Sequence, residues 1–211
     1  MDPTLTIRDP GDELPDDDEM LYRSSDAPLL VSQPVRRHAA VLVPLLFEAG
    51  EWRLLFIRRA TNDRDRHSGQ VAFPGGAREP LDRDDVHTAL REAREEIGLA
   101  SGRVRVLGTL GAYVTISRYR VVPVVAVIDG AHSLVLQASE VARAFTIPLH
   151  WLREREHLRL HHRDGADPLA ARRHPVIVYE RYDGETLWGA SARMTLNLLR
   201  AIDEGSIVLP G

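Results

Sequence analysis

The sequence predicts an α/β fold of the α+β type, a sandwich in which a mixed β-sheet lies between helices. Three observations carry that expectation. Strand-like apolar runs fill much of the chain from about residue 35 onward. At least two segments follow helical spacing instead. Strand pairs and helices interleave along the chain, and no internal repeat is visible.

The elements follow in order. Residues 1–30 contain "DPGDELPDDDEM", poor in apolar residues and rich in like charge, and read as a mobile acidic arm. Residues 31–211 then form a single domain. "AAVLVPLLFE" and "WRLLFIRRA" flank "AGE" and read as a β-hairpin. "TNDRDRHSG" is a polar loop, and "QVAFPGG" a short strand ending in a turn. A helix begins near Asp84 or Asp85, with Val86, Leu90, Ala93 and Ile97 as its apolar stripe and Gly98 as its stop.

"RVRVLGTL", "RYRVVPVVAVI" and "SLVLQ" are β-branched or alternating and read as strands. "SEVARAFTIPLHWLRERE" reads as a turn, a strand and a short helix. "REREHLRLHHRDGADPLAARRHP" reads as a mobile polar loop, its histidines lacking a regular zinc-ligand spacing. "PVIVYERYDGETLWG" is a hairpin about Asp183-Gly184. The last helix, roughly 190–203, carries Ala192, Leu196, Leu199 and Ile202 on one stripe. Trp52, Trp151 and Trp188 are expected as core or strand anchors.

Composition narrows the chemistry. A formal net charge of −4 over 211 residues gives no support for a nucleic-acid or membrane-surface partner. No apolar run reaches the roughly 18 residues of a membrane helix, and the N-terminal stretch has no signal-peptide core. The cytoplasm is the expected compartment. With no cysteine, thiolate ligands and disulfides are excluded. Every one of the 27 basic residues is arginine, so Schiff-base lysines and phosphate-loop lysines are excluded too.

The densest chemistry lies at Arg91-Glu92-Ala93-Arg94-Glu95-Glu96. Glu92 and Glu96 are four apart, and Glu92 and Glu95 three apart, so helical geometry brings the carboxylates together. Like charges so placed repel by a few tenths of a kcal/mol per pair, on the order of 0.2–0.5. Pairing of Arg91 with Glu95 on a solvated face compensates; so does a hard divalent cation. The preceding "FPGG" ends a strand in a backbone that allows close approach, and Asp82, Asp84 and Asp85 lead into the helix.

Together these residues resemble the Nudix box: a glycine, five residues, an acid, a spacer, then Arg-Glu-apolar-x-Glu-Glu-x-Gly-apolar. Gly76 leads, Asp82 takes the first acidic position, and Arg91, Glu92, Ala93, Glu95, Glu96, Gly98 and Leu99 match the second half. Asp82 replaces the usual glutamate, and the spacer is one residue longer than usual. Upstream, "LLFIRRATNDRDRHSGQVAFPGG" resembles the signature of the coenzyme A pyrophosphatases within that superfamily, through Arg59-Ala60, the basic Arg64, Arg66 and His67, Gly69, Val71 and Phe73-Pro74-Gly75-Gly76.

The resemblance implies a metal-dependent pyrophosphatase on a Nudix-like α/β/α sandwich. Its expected substrate is coenzyme A or a derivative, cleaved to 4′-phosphopantetheine and adenosine 3′,5′-bisphosphate. Mg²⁺ or Mn²⁺ is the implied cofactor, held by Glu92, Glu95 and Glu96 with a main-chain oxygen of Gly76 or Gly75. Glu92, Glu95, Arg91 and Glu140 are the implied catalytic residues, with Arg91 orienting a glutamate. Glu140, in "ASEVARAFTIPL", is a candidate base from a second loop; a turn-capping role is its alternative. Arg59, Arg64, Arg66 and His67 are the expected phosphate contacts. A homodimer is compatible with this reading. Other readings are hydrolysis of ADP-ribose, NADH or an oxidised nucleotide, and a Nudix-fold binding module without turnover.

Overall fold

The computed structural model describes residues 5–7, 35, 37–61, 68–115, 118–129, 133–163 and 176–210. The expected sandwich is present. Strand β1 is Leu5–Ile7, β2 Arg37–Glu48, β3 Glu51–Arg59, β4 Val71–Ala72 and β5 Gly75–Ala77; helix α1 is Asp85–Ile97. Then come β6 (Val104–Thr109), β7 (Tyr113–Val114), β8 (Tyr119–Ile128), β9 (Val141–Pro148), helix α2 (Leu149–Arg153), β10 (Leu158–Arg163), β11 (Val176–Tyr179) and helix α3 (Gly189–Asp203).

The main sheet is mixed: β2 pairs antiparallel with β3 and parallel with β8. Alternation along β2 and β3 feeds both faces. Ala40, Leu42, Leu46, Leu55 and Ile57 meet Ala89, Ala93 and Ile97 of α1 on one side, with Val124, Ala126 and Ile128 of β8. Val43, Leu45, Leu54 and Phe56 face the other, with Val125, Phe145 and the buried residues of α3. A smaller sheet, in the order β1-β10-β11, lies apart from this one in strand pairing.

The feature that positions chemistry is a split in the main sheet. β2 and β3 are joined through Ala49-Gly50, both at positive φ (52° and 83°), the two-residue turn that suits strand twist. Their pairing covers only Leu45–Glu48 with Glu51–Leu54. Beyond that they part, and Val71–Ala77 fills the gap. β4 pairs with Ile57 and Arg58 of β3, β5 pairs with Ala39–Val41 of β2, and the Leu42 N–H donates to the Pro74 carbonyl at 2.8 Å. Phe73 is 2 % exposed and stacks on Phe56 at 4.8 Å, so one buried ring holds the Pro-Gly-Gly turn in place. "QVAFPGG" is therefore two short strands about a bend, not one.

Three other expectations change. "SLVLQ" alternates as a strand does, with Leu134 and Leu136 turned into the α1-side core. It pairs with no strand among the described residues; it crosses the C-terminal end of α1, the Val135 N–H donating to the Ile97 carbonyl at 3.0 Å and that of Gln137 to the Glu96 carbonyl at 2.9 Å. Residues 158–163, read as part of a polar loop, form β10, whose Leu158 and Leu160 are buried beside β11; 164–175 lie outside the described residues. Within the expected arm only Leu5–Ile7 is described, as β1 against β10. The hairpin about Asp183-Gly184 closes through Tyr182 and Glu185.

Candidate active site

Helix α1 begins where its sequence says it should. Asp84 is the N-cap, its Oδ1 accepting the His87 N–H at 2.7 Å. Gly98 ends the helix in the left-handed conformation at φ 67°. The apolar stripe seats the helix on the sheet, and that seating turns Glu92 and Glu96 toward β5. Glu96 is 1 % exposed, and its Oε2 accepts the Gly75 N–H at 2.9 Å. Arg59, at the end of β3, brings Nη1 to 3.8 Å from Glu96 Oε1. A Cβ at Gly76 would lie 2.5 Å from Glu92 Oε1, so any side chain there would have to displace that carboxylate. The Gly76 φ is not left-handed; close approach, and not a special backbone conformation, requires glycine there.

This contact makes a direct test. Gly76→Val is expected to displace the Glu92 carboxylate, lower turnover and cost about 1–3 kcal/mol from overpacking. Thermal unfolding and turnover measured on the same preparation check it. A variant neutral in both would show that Glu92 moves aside freely.

Burial drives the electrostatics. Desolvation pushes the Glu96 carboxyl up to about 7, against the Gly75 hydrogen bond and the Arg59 charge, with Glu92 and Glu140 adding repulsion. Glu92 is raised for the same reason, burial first and then its acidic neighbours Glu95 and Glu140, partly offset by Arg91. Glu140, exposed in the turn before β9, thus adds its negative charge to the repulsion at both glutamates. Glu95 is half exposed and accepts from Arg91 Nη1 at 2.9 Å. The donors gathered here are carboxylate oxygens without nitrogen or sulfur ligands, which suits a hard divalent cation. Clustered and desolvated like charge is what such an ion relieves.

Asp82 does something else. Its Oδ1 accepts from Arg91 Nε at 3.1 Å and lies 3.0 Å from His87 Nδ1. Its Oδ2 accepts from Arg91 Nη2 and Thr88 Oγ1, each at 3.0 Å, and from the Glu79 N–H at 2.9 Å. The Arg91 fork holds the Asp82 carboxyl far below the usual carboxylate range. With both oxygens so engaged, Asp82 serves as an anchor. It fixes Arg91, whose Nη2 also donates to the Ala77 carbonyl at 3.0 Å and stands 3.0 Å from Glu92 Oε1. One guanidinium thus ties the loop, β5 and two glutamates together.

The structure brings Glu92, Glu95, Glu96, Arg91, Gly76, Arg59 and Glu140 into one neighbourhood. Arg64, Arg66 and His67 lie outside the described residues. His87 and Thr88 were missed from sequence; their positions five and six after Asp82 carry no motif, and only the helix start brings them back to it.

The chain is similar to known proteins of one family. The NUDIX domain profile matches residues 36–172. An uncharacterized Nudix hydrolase, NudL, of Yersinia pestis (strain Pestoides F) is 35% identical over 192 residues, covering 90% of this chain and 89% of the relative. Its counterpart in Yersinia pseudotuberculosis serotype O:1b (strain IP 31758) matches to the same extent. The solved structure of RenU, a Nudix hydrolase from M. Smegmatis, superposes with a TM-score of 0.54 at 18% identity, over 83% of this chain and 91% of that one.

Proposed function

The chain belongs to the Nudix hydrolase family, whose members cleave pyrophosphate bonds of nucleoside diphosphate derivatives, and on that premise we propose that its substrate is coenzyme A. Water adds across the P–O–P bridge to leave 4′-phosphopantetheine and adenosine 3′,5′-bisphosphate. One observation carries the choice of substrate. The segment bearing Arg64, Arg66 and His67 leaves the sheet at Arg59 and returns at Gln70, and the Arg59 N–H donates to the Gln70 carbonyl at 3.0 Å. The described ends of the segment are thus held together, with Arg59 beside Glu96, and arginines in such a segment suit a substrate with a phosphate beyond its diphosphate.

In this reading Glu92 and Glu96 hold Mg²⁺ or Mn²⁺, with Glu95 and a main-chain oxygen of Gly76 completing the set. The ion supplies neutralisation of the diphosphate oxygens and acidification of water. Arg91, fixed by Asp82, orients Glu92 and Glu95. Glu140 takes the proton of the attacking water as the new P–O bond forms and the bridge P–O bond breaks. Arg59 offsets phosphate charge at the buried end of the site. In this reading the partner is a small-molecule substrate. Among the described residues no helix is long and apolar enough to cross a membrane.

The test compares specificity constants for coenzyme A and for its analogue lacking the 3′-phosphate, with Mg²⁺ and with Mn²⁺. Coenzyme A is expected to be preferred. Arg64→Ala or Arg66→Ala is expected to shrink that preference about tenfold or more, because a charge-assisted contact contributes roughly 1.5–3 kcal/mol. Outright preference for ADP-ribose or NADH would overturn the coenzyme A reading and leave the family assignment standing.

A further inference from the structure

We infer that residues 133–141 form a positioning strap for Glu140, and that Gly98 is the residue on which the strap seats. The inference rests on the reading of Glu140 as the proton acceptor.

The last carbonyls of any helix lack intrahelical partners. In α1 the strap supplies two of them, the Val135 N–H to Ile97 and the Gln137 N–H to Glu96. Glu96 is thereby held twice, its side chain by Gly75 and its main chain by the strap. Leu134 and Leu136 pack into the α1-side core and Val141 is 2 % exposed, so both flanks of the strap are anchored. Between them the chain turns: the Gln137 carbonyl accepts the N–H groups of Glu140 and Val141 at 2.9 and 2.8 Å. The Glu140 carbonyl then accepts the Ala60 N–H at 2.7 Å, at the end of β3. Glu140 is therefore fixed through its main chain from both sides, one side being the helix that carries Glu92 and Glu96.

Gly98 governs how closely the strap approaches. Its φ of 67° already favours glycine, but a second constraint is separate. A Cβ there would lie 2.9 Å from Val135 Cβ, and 3.1 and 3.2 Å from the Val135 carbonyl oxygen and nitrogen. A methyl group would lift the strap at Val135. Two residues on, Gln137 would follow, and with it the turn that carries Glu140. Val135 itself is 72 % exposed, so this contact contributes position rather than core burial.

The experiment uses the full-length protein, Mn²⁺ and the best-turned-over nucleotide of a panel that includes coenzyme A, ADP-ribose and NADH. Four proteins are compared: the parent, Glu140→Gln, Gly98→Ala, and Gly98→Ala combined with Val135→Gly. Glu140→Gln sets the scale, with an expected loss in kcat of about 100-fold or more for a missing general base. Gly98→Ala is expected to lower kcat at least about tenfold, on the same general-base scale, with KM near that of the parent. It also lowers the melting temperature through its backbone strain. Removing the Val135 side chain in the double variant relieves the 2.9 Å contact but not those with its main chain, so kcat is expected to recover in part while the melting temperature stays low, because the strain at φ 67° remains. A glycine needed only to end the helix predicts a lower melting temperature with unchanged kcat in Gly98→Ala. That result, with Glu140→Gln impaired, overturns the strap and leaves Glu140 its role. Failure of the double variant to regain kcat also overturns it. Full activity of Glu140→Gln overturns both readings.

Discussion

Glu96→Gln and Glu92→Gln are each expected to lower turnover by about 100-fold or more while leaving the protein folded, since on the proposed reading each removes a charged ligand that would hold the ion. Glu96 has the sharper signature. Its carboxyl titrates near 7 in the folded chain against an ordinary value of 4.5. Below the ordinary value both folded and unfolded chains hold the proton. Between the two values the folded chain keeps a proton that the unfolded chain releases, so stability falls as pH rises. Above 7 the full cost of a buried charge is present. Metal-free protein is therefore expected to melt at progressively lower temperature between pH 5 and pH 8. Glu96→Gln is expected to flatten that slope and to melt higher at pH 8. Saturating Mn²⁺ reverses the slope in the parent, because ion binding to the folded state adds stability and competes with the proton. Melting curves across this pH range, with and without Mn²⁺, make the measurement. Normal turnover of Glu96→Gln with Mg²⁺ or Mn²⁺ would reduce the cluster to a charged helix face.

Asp82→Ala carries the second large effect, on stability as well as rate. The Asp82 side chain is 1 % exposed and that of Arg91 is 12 % exposed. Removing the carboxylate takes from the Arg91 fork its main partner, leaving it Glu92, Glu95 and the Ala77 carbonyl, and takes from the Glu79 N–H its side-chain acceptor. With Arg91 still paired to two glutamates, the loss of these buried hydrogen bonds is expected to cost about 1–3 kcal/mol. Turnover is expected to fall as well, because Arg91 no longer holds its distance to Glu92. Asp82→Asn keeps the shape and one acceptor oxygen, and is expected to lie between parent and alanine variant. The pH sign is opposite to that of Glu96. Asp82 is held far below its ordinary 3.8, so its contribution is whole above that value and is lost as pH falls through and below it. Chemical denaturation at pH 7 and at pH 3 tests this: the difference in stability between parent and Asp82→Ala is expected to shrink at the lower pH. If Asp82→Ala unfolds too readily for kinetics, Asp82→Asn still reports on the rate.

Local chemistry determined a great deal from the sequence alone. The helix over Asp85–Ile97, its Asp84 cap and its Gly98 stop follow from capping preference and the apolar stripe. The hairpin about Asp183-Gly184 follows from residues that accept positive φ, and that between β2 and β3 from two apolar runs separated by a short break. The spacing of Glu92, Glu95 and Glu96 on one helix requires no tertiary information, and neither does the family, which is written in those residues. Tertiary structure decided what each carboxylate is for. Asp82 and Glu96 are both acids in one motif, yet one is held ionised and the other is pushed toward the neutral form. The difference lies in what surrounds each: Asp82 meets the arginine fork and donors from three further residues, whereas Glu96 is buried with acidic neighbours and one main-chain donor. "SLVLQ" makes the same point for the backbone. Its alternation correctly turns Leu134 and Leu136 inward, but alternation cannot say whether the outward hydrogen bonds go to a strand or to the end of a helix. Only the folded chain brings Glu96 and Ile97, some forty residues upstream, within reach of those N–H groups. Partner choice across such distances is set by which apolar faces bury each other, and that is a property of the whole domain.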